Sequence, residues 1–291
     1  MTTAPPPVAV SSRRPALGFI GGGVMAEALI GAVTGAGLVA PGAILVGEVG
    51  EERRRVLRER HGVGVTGDNL AAAGAELVVL AVKPQHLGSV LEQLRGRLRE
   101  DTVVVSIVAG ARLRTLCEGL GHALVVRAMP NTPARVRKAA TFWRASAGVS
   151  GPALGRVRSL LGALGTEVEV DDEAGVEMAT GLAGPMPAFV YLFIEAFIDA
   201  GVALGLSREQ ATLATVESMR GSLELLLRTQ ESPAELRAQV TSPGGATLAG
   251  LKVFEREGVR EMVGAAVRAV HARAQELGQL ALASRESGKD G

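Results

Sequence analysis

Only one cysteine, Cys117, occurs in the 291 residues, which excludes an intramolecular disulfide and a thiolate metal cage. The four histidines, His61, His86, His122 and His271, lack ligand spacing, so no metal site is expected. A chain so poor in cysteine fits most simply in a reducing cytoplasm. An excess of charge of one sign is also missing: 31 Lys and Arg stand against 30 Asp and Glu, a net charge of +1. Nothing in that balance calls for nucleic acid or a membrane surface as partner. Arg53-Arg54-Arg55 is bracketed by Glu51, Glu52 and Glu59 and reads as a solvated helix face. No long apolar stretch follows a charged start at the amino end, so no signal peptide is expected. Residues 1–14, with Pro5-Pro6-Pro7 and Ser11-Ser12-Arg13-Arg14, read as a disordered tail.

What the chain does have is core material, with 47% hydrophobic residues and 21% charged. Its length favours about two domains. From 16 to 170, short apolar runs alternate with helical stretches. Strands are expected over 16–20, 43–46, 77–82, 102–108 and 123–129, and later over 141–144 and 167–170. Helices are expected over 25–34, 51–60 and 84–98. Runs apolar on both faces and separated by helices predict a mostly parallel sheet covered on both sides. Beyond 170 the strand signal stops. Helical periodicity continues over 187–204, 207–228, 243–257 and 259–283. The expected class is α/β, with a Rossmann-like domain over 15–172 and an all-helical domain over 173–291. Ser207, followed by Glu209-Gln210, reads as a helix cap, and Gly205 suits the preceding helix end.

The helix expected over 187–204 is apolar nearly all round. A membrane span is one reading, but Glu195 and Asp199 lie within it, and each acid would cost about 2.5–3.5 kcal/mol at a bilayer centre. Helices of this kind are usually buried, and a lone helical domain of this length would struggle to cover it. A second subunit is therefore expected to cover it in an obligate dimer.

Two loops at opposite ends of the sequence can each present backbone N–H groups to an anion. The first is Gly21-Gly22-Gly23-Val24-Met25-Ala26, directly after an apolar strand and opening a helix. Gly21, Gly23 and Ala26 fit the G-x-G-x-x-G/A pattern in its proper setting. Gly21 permits the tight turn, Gly23 admits a pyrophosphate to the backbone, and Ala26 lets helix and strand approach. The helix N-terminus then faces the phosphates. The alternative is a glycine-rich turn that binds nothing. Glu48, after the second strand, stands near where an acid would accept from the cofactor ribose and repel a 2′-phosphate. It favours NADH over NADPH, although Arg53 lies close by.

The second loop is Thr241-Ser242-Pro243-Gly244-Gly245-Ala246-Thr247. Ser242 is a good N-cap, and Pro243 suits a first helical position. Two glycines in a first turn make sense if a ligand approaches the backbone, and a small carboxylate would meet N–H donors and the helix dipole there. The alternative is a plain structural cap. Nucleotide and carboxylate together describe an enzyme of two substrates.

Further motifs accompany these loops in order: Ala81-Val82-Lys83-Pro84-Gln85, Arg127-Ala128-Met129-Pro130-Asn131-Thr132-Pro133-Ala134, Gly184 with Pro187-Ala188-Phe189-Val190, and Asp199-Ala200-Gly201-Val202. With the two loops they resemble the pyrroline-5-carboxylate reductase family over about 16–280. The resemblance implies a Rossmann domain, an interleaved helical dimer or an assembly of dimers, a cyclic imine acid substrate, and hydride from NADH or NADPH. The reaction it implies is the last step of proline synthesis, from 1-pyrroline-5-carboxylate to L-proline. It carries the cofactor onto Ile20, Gly21, Gly22, Gly23, Val24, Met25, Glu48, Asn69, Ala81, Val82, Lys83, Pro84, Ile107, Val108 and Ala109. It carries the substrate onto Glu173 and Thr180, beside Ser242, Gly244, Gly245, Ala246 and Thr247 of the second loop.

Reduction is easier from the protonated iminium, and no histidine lies in a candidate motif. Thr247 is therefore the expected catalytic group, bonding the ring nitrogen directly or through water. The chain departs from the family at Val24, where a polar residue is usual. It departs again at Ala183-Gly184-Pro185-Met186, which lacks two hydroxyls and gains a proline. Another cyclic imine, or a cofactor-binding scaffold without turnover, are the alternatives. Lys83 meets a cofactor phosphate or ribose, or only ends the sheet. Arg127 is expected to be structural, with a carboxylate as one partner it could take, Trp143 and Tyr191 to pack, and Cys117 to be an inert core thiol.

Overall fold

The computed structural model describes residues 14–286, with side chains to 276. The expected tail at 1–13 lies outside the described residues. Arg14, assigned above to that tail, is anchored instead: its guanidinium donates to the carbonyls of Gly74 and Ala75, to Thr102 Oγ1 and to Asp101. The chain forms two compact units, one containing 14–184 and 270–286 and the other Pro185–Ala269.

The first unit holds one eight-stranded sheet. In chain order its strands are β1 (Leu17–Ile20), β2 (Ile44–Gly47), β3 (Gly64–Thr66), β4 (Leu77–Leu80), β5 (Val103–Ser106), β6 (Val125–Met129), β7 (Ala139–Ala145) and β8 (Gly165–Glu169). Their spatial order is β3-β2-β1-β4-β5-β6-β7-β8. The first six strands run parallel, β7 is antiparallel to β6, and β8 is parallel to β7. β1, β2, β4 and β5 are buried along their whole length, as a doubly covered parallel sheet requires. One core under the sheet gathers Phe19, Leu29, Val79 and Trp143. The other gathers Ile20, Leu80, Leu91 and Leu116.

The covering helices are α1 (Val24–Gly35), α2 (Glu51–His61), α3 (Asn69–Ala73), α4 (Leu87–Leu94), α5 (Leu113–Leu120), α6 (Gly151–Gly162) and α7 (Glu173–Ala183). The helix expected over 84–98 is shorter than its apolar spacing implies. Pro84–His86 is a 3₁₀ turn, and α4 stops where Gly96 takes φ +66°. The strands expected to reach 82 and 108 end at Leu80 and Ser106, releasing the following residues to the sheet edge.

The second unit contains α8 (Met186–Ala203), α9 (Arg208–Thr229), α10 (Pro233–Gln239), α11 (Ala246–Arg256) and the start of α12 (Val259–Glu286). Ser207 and Gln210 close a reciprocal capping box on α9, and Gly205 leaves α8 at φ +101°. α8 and α9 approach closely at Gly201, where an added Cβ would lie 3.0 Å from that of Ala211. Ala211 is the only buried residue in the unit. Tyr191, expected to pack, is 64% exposed, and Leu192 and Phe197 are open beside it. A group of helices with one buried side chain cannot gain enough from apolar burial to offset the ordering of its chain. The run Glu173–Ala203 is long and apolar enough to cross a membrane by length and composition. Asp199 within it pairs with Arg208 at 3.0 Å.

Candidate active site

Parallel strands with buried faces end together, and their carboxyl ends carry the residues singled out in the first loop. Ladder bonds continue past the strands: Gly21 N–H donates to Gly47 O at 2.7 Å, Ala81 N–H to Ile20 O at 2.9 Å, and Ile107 N–H to Leu80 O at 3.0 Å. Gly21, Glu48, Ala81 and Ile107 therefore lie along one edge of the sheet. β1 sits between β2 and β4, so the chain order reverses there, and ligands of open α/β sheets bind at that switch point.

The glycines differ in what they do. Gly21 takes φ +94°, and a Cβ on it would stand 2.8 Å from Ala81 O, so only glycine turns the chain out of β1 there. Gly23 is the N-cap of α1, exposed, with nothing within 4 Å of an added Cβ. No side chain caps α1, which leaves its first N–H groups open to an anion. Val24 is 64% exposed on the same turn, Met25 is partly buried against the core, and Ala26 is fully buried. These residues fit a pyrophosphate: open backbone donors, a small residue where the ligand would approach, and a rigid turn beneath.

Glu48 is held beside this loop. One carboxylate oxygen accepts from Gly22 N–H and the other from Gly50 N–H, both at 2.8 Å. Arg53 and Arg54 are not the solvated pair that their flanking acids suggest. Arg53 donates to the carbonyls of Gly22 and Gly23 and pairs with Glu27 at 2.7 Å, while Arg54 donates to the carbonyls of Glu48 and Val49. Arg60 and His61 also reach Glu27. Partial burial raises the Glu27 pKa, but hydrogen bonds from Arg53, His61 and Arg60 and the Arg53 charge outweigh it. The result falls to about 2.

Asn69 opens α3, and its amide donates to Gln93 at 2.9 Å. Lys83 and Pro84 are exposed past β4, next to the partly buried Ala81 and Val82. Val108 turns its side chain into the core, while Ala109 is exposed.

Glu173 and Thr180 fall on α7 in the first unit. Thr180 donates to Val176 O within its own helix, at 2.6 Å. Glu173 accepts from Leu113 N–H and from Arg127, both at 2.7 Å. Arg127 is buried and also reaches Glu177 at 3.4 Å, so its expected carboxylate partner is in fact a pair. Gly110, Arg112, Arg127, Glu177, Thr180 and His271 line a small cavity here. Asn131 joins β7 to α7, accepting from Ala140 N–H and donating to Ala183 O, each at 3.1 Å. Arg112, Asn131 and Glu177 escaped sequence reasoning because their partners lie nine to sixty-five residues away. Trp143 is fully buried and donates to Glu167. Burial pushes the Cys117 thiol up, with the Glu173 and Glu118 charges adding to it. The raised pKa favours the protonated thiol, and Cys117 is partly buried at the edge of the second core and not within it.

In the second unit the loop before α11 differs from its expected form. Ser242 does not cap the helix, and Pro243 is not its first residue. Gly245 N–H donates to Ser242 O at 3.0 Å across a β-turn with Pro243 and Gly244 at its centre, and Gly244 takes φ +74°. Proline second and glycine third is what a type II turn selects. The N-cap is Gly245, where a Cβ would lie 2.5 Å from Ser242 Oγ. With no side-chain cap, the N–H groups of Ala246, Thr247 and Leu248 are left open, and Thr247 is exposed in that first turn. The glycine pair thus has a structural reason, and the first N–H groups of α11 have no partner within the helix.

A nucleotide-accepting α/β sheet joined to a helical unit defines the class of dinucleotide-dependent oxidoreductases. Residues 16–110 match the family model for NADP oxidoreductase, coenzyme F420-dependent, and residues 173–277 match that for pyrroline-5-carboxylate reductase dimerisation. A pyrroline-5-carboxylate reductase of Synechocystis is 41% identical over 264 residues, covering 90% of this chain and 98% of that protein. The structure of one from Coxiella burnetii superposes with a TM-score of 0.83 at 36% identity, over 91% of this chain and 99% of that one. One from Plasmodium falciparum, solved with NADP bound, gives 0.82 at 29% identity, over 90% and 97%. This chain belongs to the pyrroline-5-carboxylate reductase family.

Proposed function

We propose that the protein reduces 1-pyrroline-5-carboxylate to L-proline, the last step of proline synthesis, with NADH or NADPH as hydride donor. The observation that carries this reading is the uncapped, glycine-opened end of α1 at the switch point of the sheet, in a chain of this family. Bound there, the dinucleotide supplies a hydride to the imine carbon. Ile20 to Met25 would hold its pyrophosphate, with Glu48, Asn69, Ala81 to Pro84 and Ile107 to Ala109 around the rest.

NADH is the preferred donor. The Glu48 carboxylate is fixed by Gly22 and Gly50, and the nearest arginines are already committed to Glu27 and to backbone carbonyls. A 2′-phosphate would meet the negative charge of Glu48, while Arg53 is paired with Glu27 and Arg54 is held through Nη1 to the Glu48 and Val49 carbonyls. The open N–H groups of Ala246, Thr247 and Leu248, with the Ser242–Gly245 turn, receive the substrate carboxylate. Thr247 is the catalytic residue: its hydroxyl hydrogen-bonds the ring nitrogen, directly or through water, and any proton it passes to that nitrogen is replaced from solvent, to which Thr247 is exposed.

A second copy of the chain covers the open faces of α8 and α9, making a dimer in the cytoplasm, and larger assemblies of dimers suit the same surface. The helical substrate and dimerisation region is taken to start at Glu173. The deciding assay follows loss of nicotinamide absorbance with each cofactor and with five- and six-membered cyclic imine acids. Turnover of the five-membered ring with NADH is expected. Preference for the six-membered ring would move the substrate, no turnover would leave a scaffold, and a clear NADPH preference would defeat the role given to Glu48.

A further inference from the structure

α5 begins at Leu113, and its N-cap Arg112 supplies no side-chain cap. The cap comes from α7, sixty residues on: Glu173 Oε1 accepts from Leu113 N–H at 2.7 Å. The same oxygen accepts from Arg127 Nη1 at 2.7 Å, and the Arg127 side chain is 6% exposed. One turn along α7, Glu177 accepts from Arg112 Nε at 3.0 Å. Residues 112 and 113 are therefore gripped by two carboxylates of one helix. At the other end, Ile107 N–H is fixed to Leu80 O at the close of the β4–β5 ladder. Between these anchors run only Val108, Ala109, Gly110 and Ala111, with Gly110 at φ +77°. The bonds inside that stretch are long, Val108 N–H to Ser106 Oγ and Ala111 N–H to Val108 O, both 3.3 Å.

We infer that Glu173 is a positioning residue for the cofactor segment 107–109, acting through the amino end of α5. The inference rests on the cofactor reading above. One oxygen of the carboxylate, Oε1, takes both bonds and so ties α5 to the buried Arg127 through α7. A short segment with weak internal bonds is ordered by its ends, and ordering done before the ligand arrives is not subtracted from affinity. Losing a helix cap removes enough of that order to weaken binding severalfold.

The test is a fluorescence titration with NADH, without substrate, on the wild-type protein, Glu173→Ala and Glu173→Gln, followed by KM for each substrate. Glu173→Ala is expected to bind NADH about fivefold more weakly, the scale of one lost cap. Glu173→Gln, whose amide oxygen still accepts from Leu113, should stay within about twofold of wild type. A raised imine KM with unchanged NADH affinity would make Glu173 a substrate ligand and overturn the inference, as would equal NADH affinity in Glu173→Ala and wild type. Wild type that binds no NADH would instead remove the cofactor reading itself. If Glu173→Ala does not fold, Arg112→Ala releases the neighbouring anchor. It should weaken NADH binding about threefold, beyond the margin set for Glu173→Gln, and an affinity within about twofold of wild type overturns the inference.

Discussion

Gly23→Ala separates a nucleotide-binding loop from a glycine turn of purely structural purpose. At Gly23 the backbone is at φ −65° and ψ −176°, which alanine adopts without strain, and a Cβ would meet no atom within 4 Å. Replacing glycine by alanine restricts the unfolded chain and gains about 0.4–1 kcal/mol where the conformation is compatible. Alanine is a poorer N-cap than glycine, which offsets that gain by about the same amount. The net change in stability should therefore lie within about 0.5 kcal/mol of zero.

The bound state differs, because the methyl enters the space where the pyrophosphate meets the N–H groups of α1. A methyl that holds the ligand off by even part of an ångström weakens several charge-assisted bonds together. A loss of at least about 1.4 kcal/mol, tenfold in affinity, is expected. Denaturant unfolding measures the first quantity and titration with NADH the second. Unchanged stability with unchanged NADH affinity would refute the assignment of the loop to the cofactor. Gly21→Ala supplies the contrast: its φ of +94° and the 2.8 Å approach to Ala81 O should cost stability as well as binding.

Thr247→Val keeps the shape of the first turn of α11 and removes its hydroxyl. Turnover should fall at least about tenfold while NADH affinity stays the same, and unchanged turnover would remove Thr247 from the chemistry. Glu27, with a folded pKa lowered to about 2 against 4.5 unfolded, adds stability that is complete above the unfolded value and lost as the pH falls towards 2. Denaturation curves of Glu27→Gln should lie about 1–2 kcal/mol below wild type at neutral pH, discounted for solvent screening, and converge with it at the acid end. A constant gap would show that the carboxylate's charge is not what the cluster uses. Leu192→Glu places a charge on the 62% exposed Leu192 of α8. The variant should sediment as a monomer or aggregate, and an unaltered dimer would put the interface elsewhere.

How much of this was legible in the sequence depends on the range over which each signal acts. β1, β2, β4, β5 and β6 are readable because a strand buried on both faces is mostly apolar, which a sequence displays directly even where Ser106 and Arg127 interrupt the run. β3 is not: Gly64–Thr66 is three residues long, half-exposed, and defined only by its partners in β2. α10 escaped because only its capping box, Ser232 with Glu235, marks it, and none of its residues is buried. At the anion sites, the residue types were legible but their use was not. Gly244-Gly245 reads as the first turn of a helix and instead closes the β-turn in front of it, since Pro243 and Gly244 satisfy a turn as well as a helix start. Local rules weigh both and tertiary context chooses.

The same limit explains the charges. Arg53 and Glu52 are neighbours in a run that reads as one solvated face. Yet Glu52 stays outside with Arg55, while Arg53 lies under the glycine loop against Glu27, twenty-six residues earlier. Spacing along a helix indicates which side chains share a face, not what that face meets. Where a charge meets its partner across the fold, as Glu173 does with Leu113 and Arg127, the sequence names a residue worth attention but not the groups it bonds. That is why Glu173 reads as a substrate acid from its motif and as a helix cap from its hydrogen bonds.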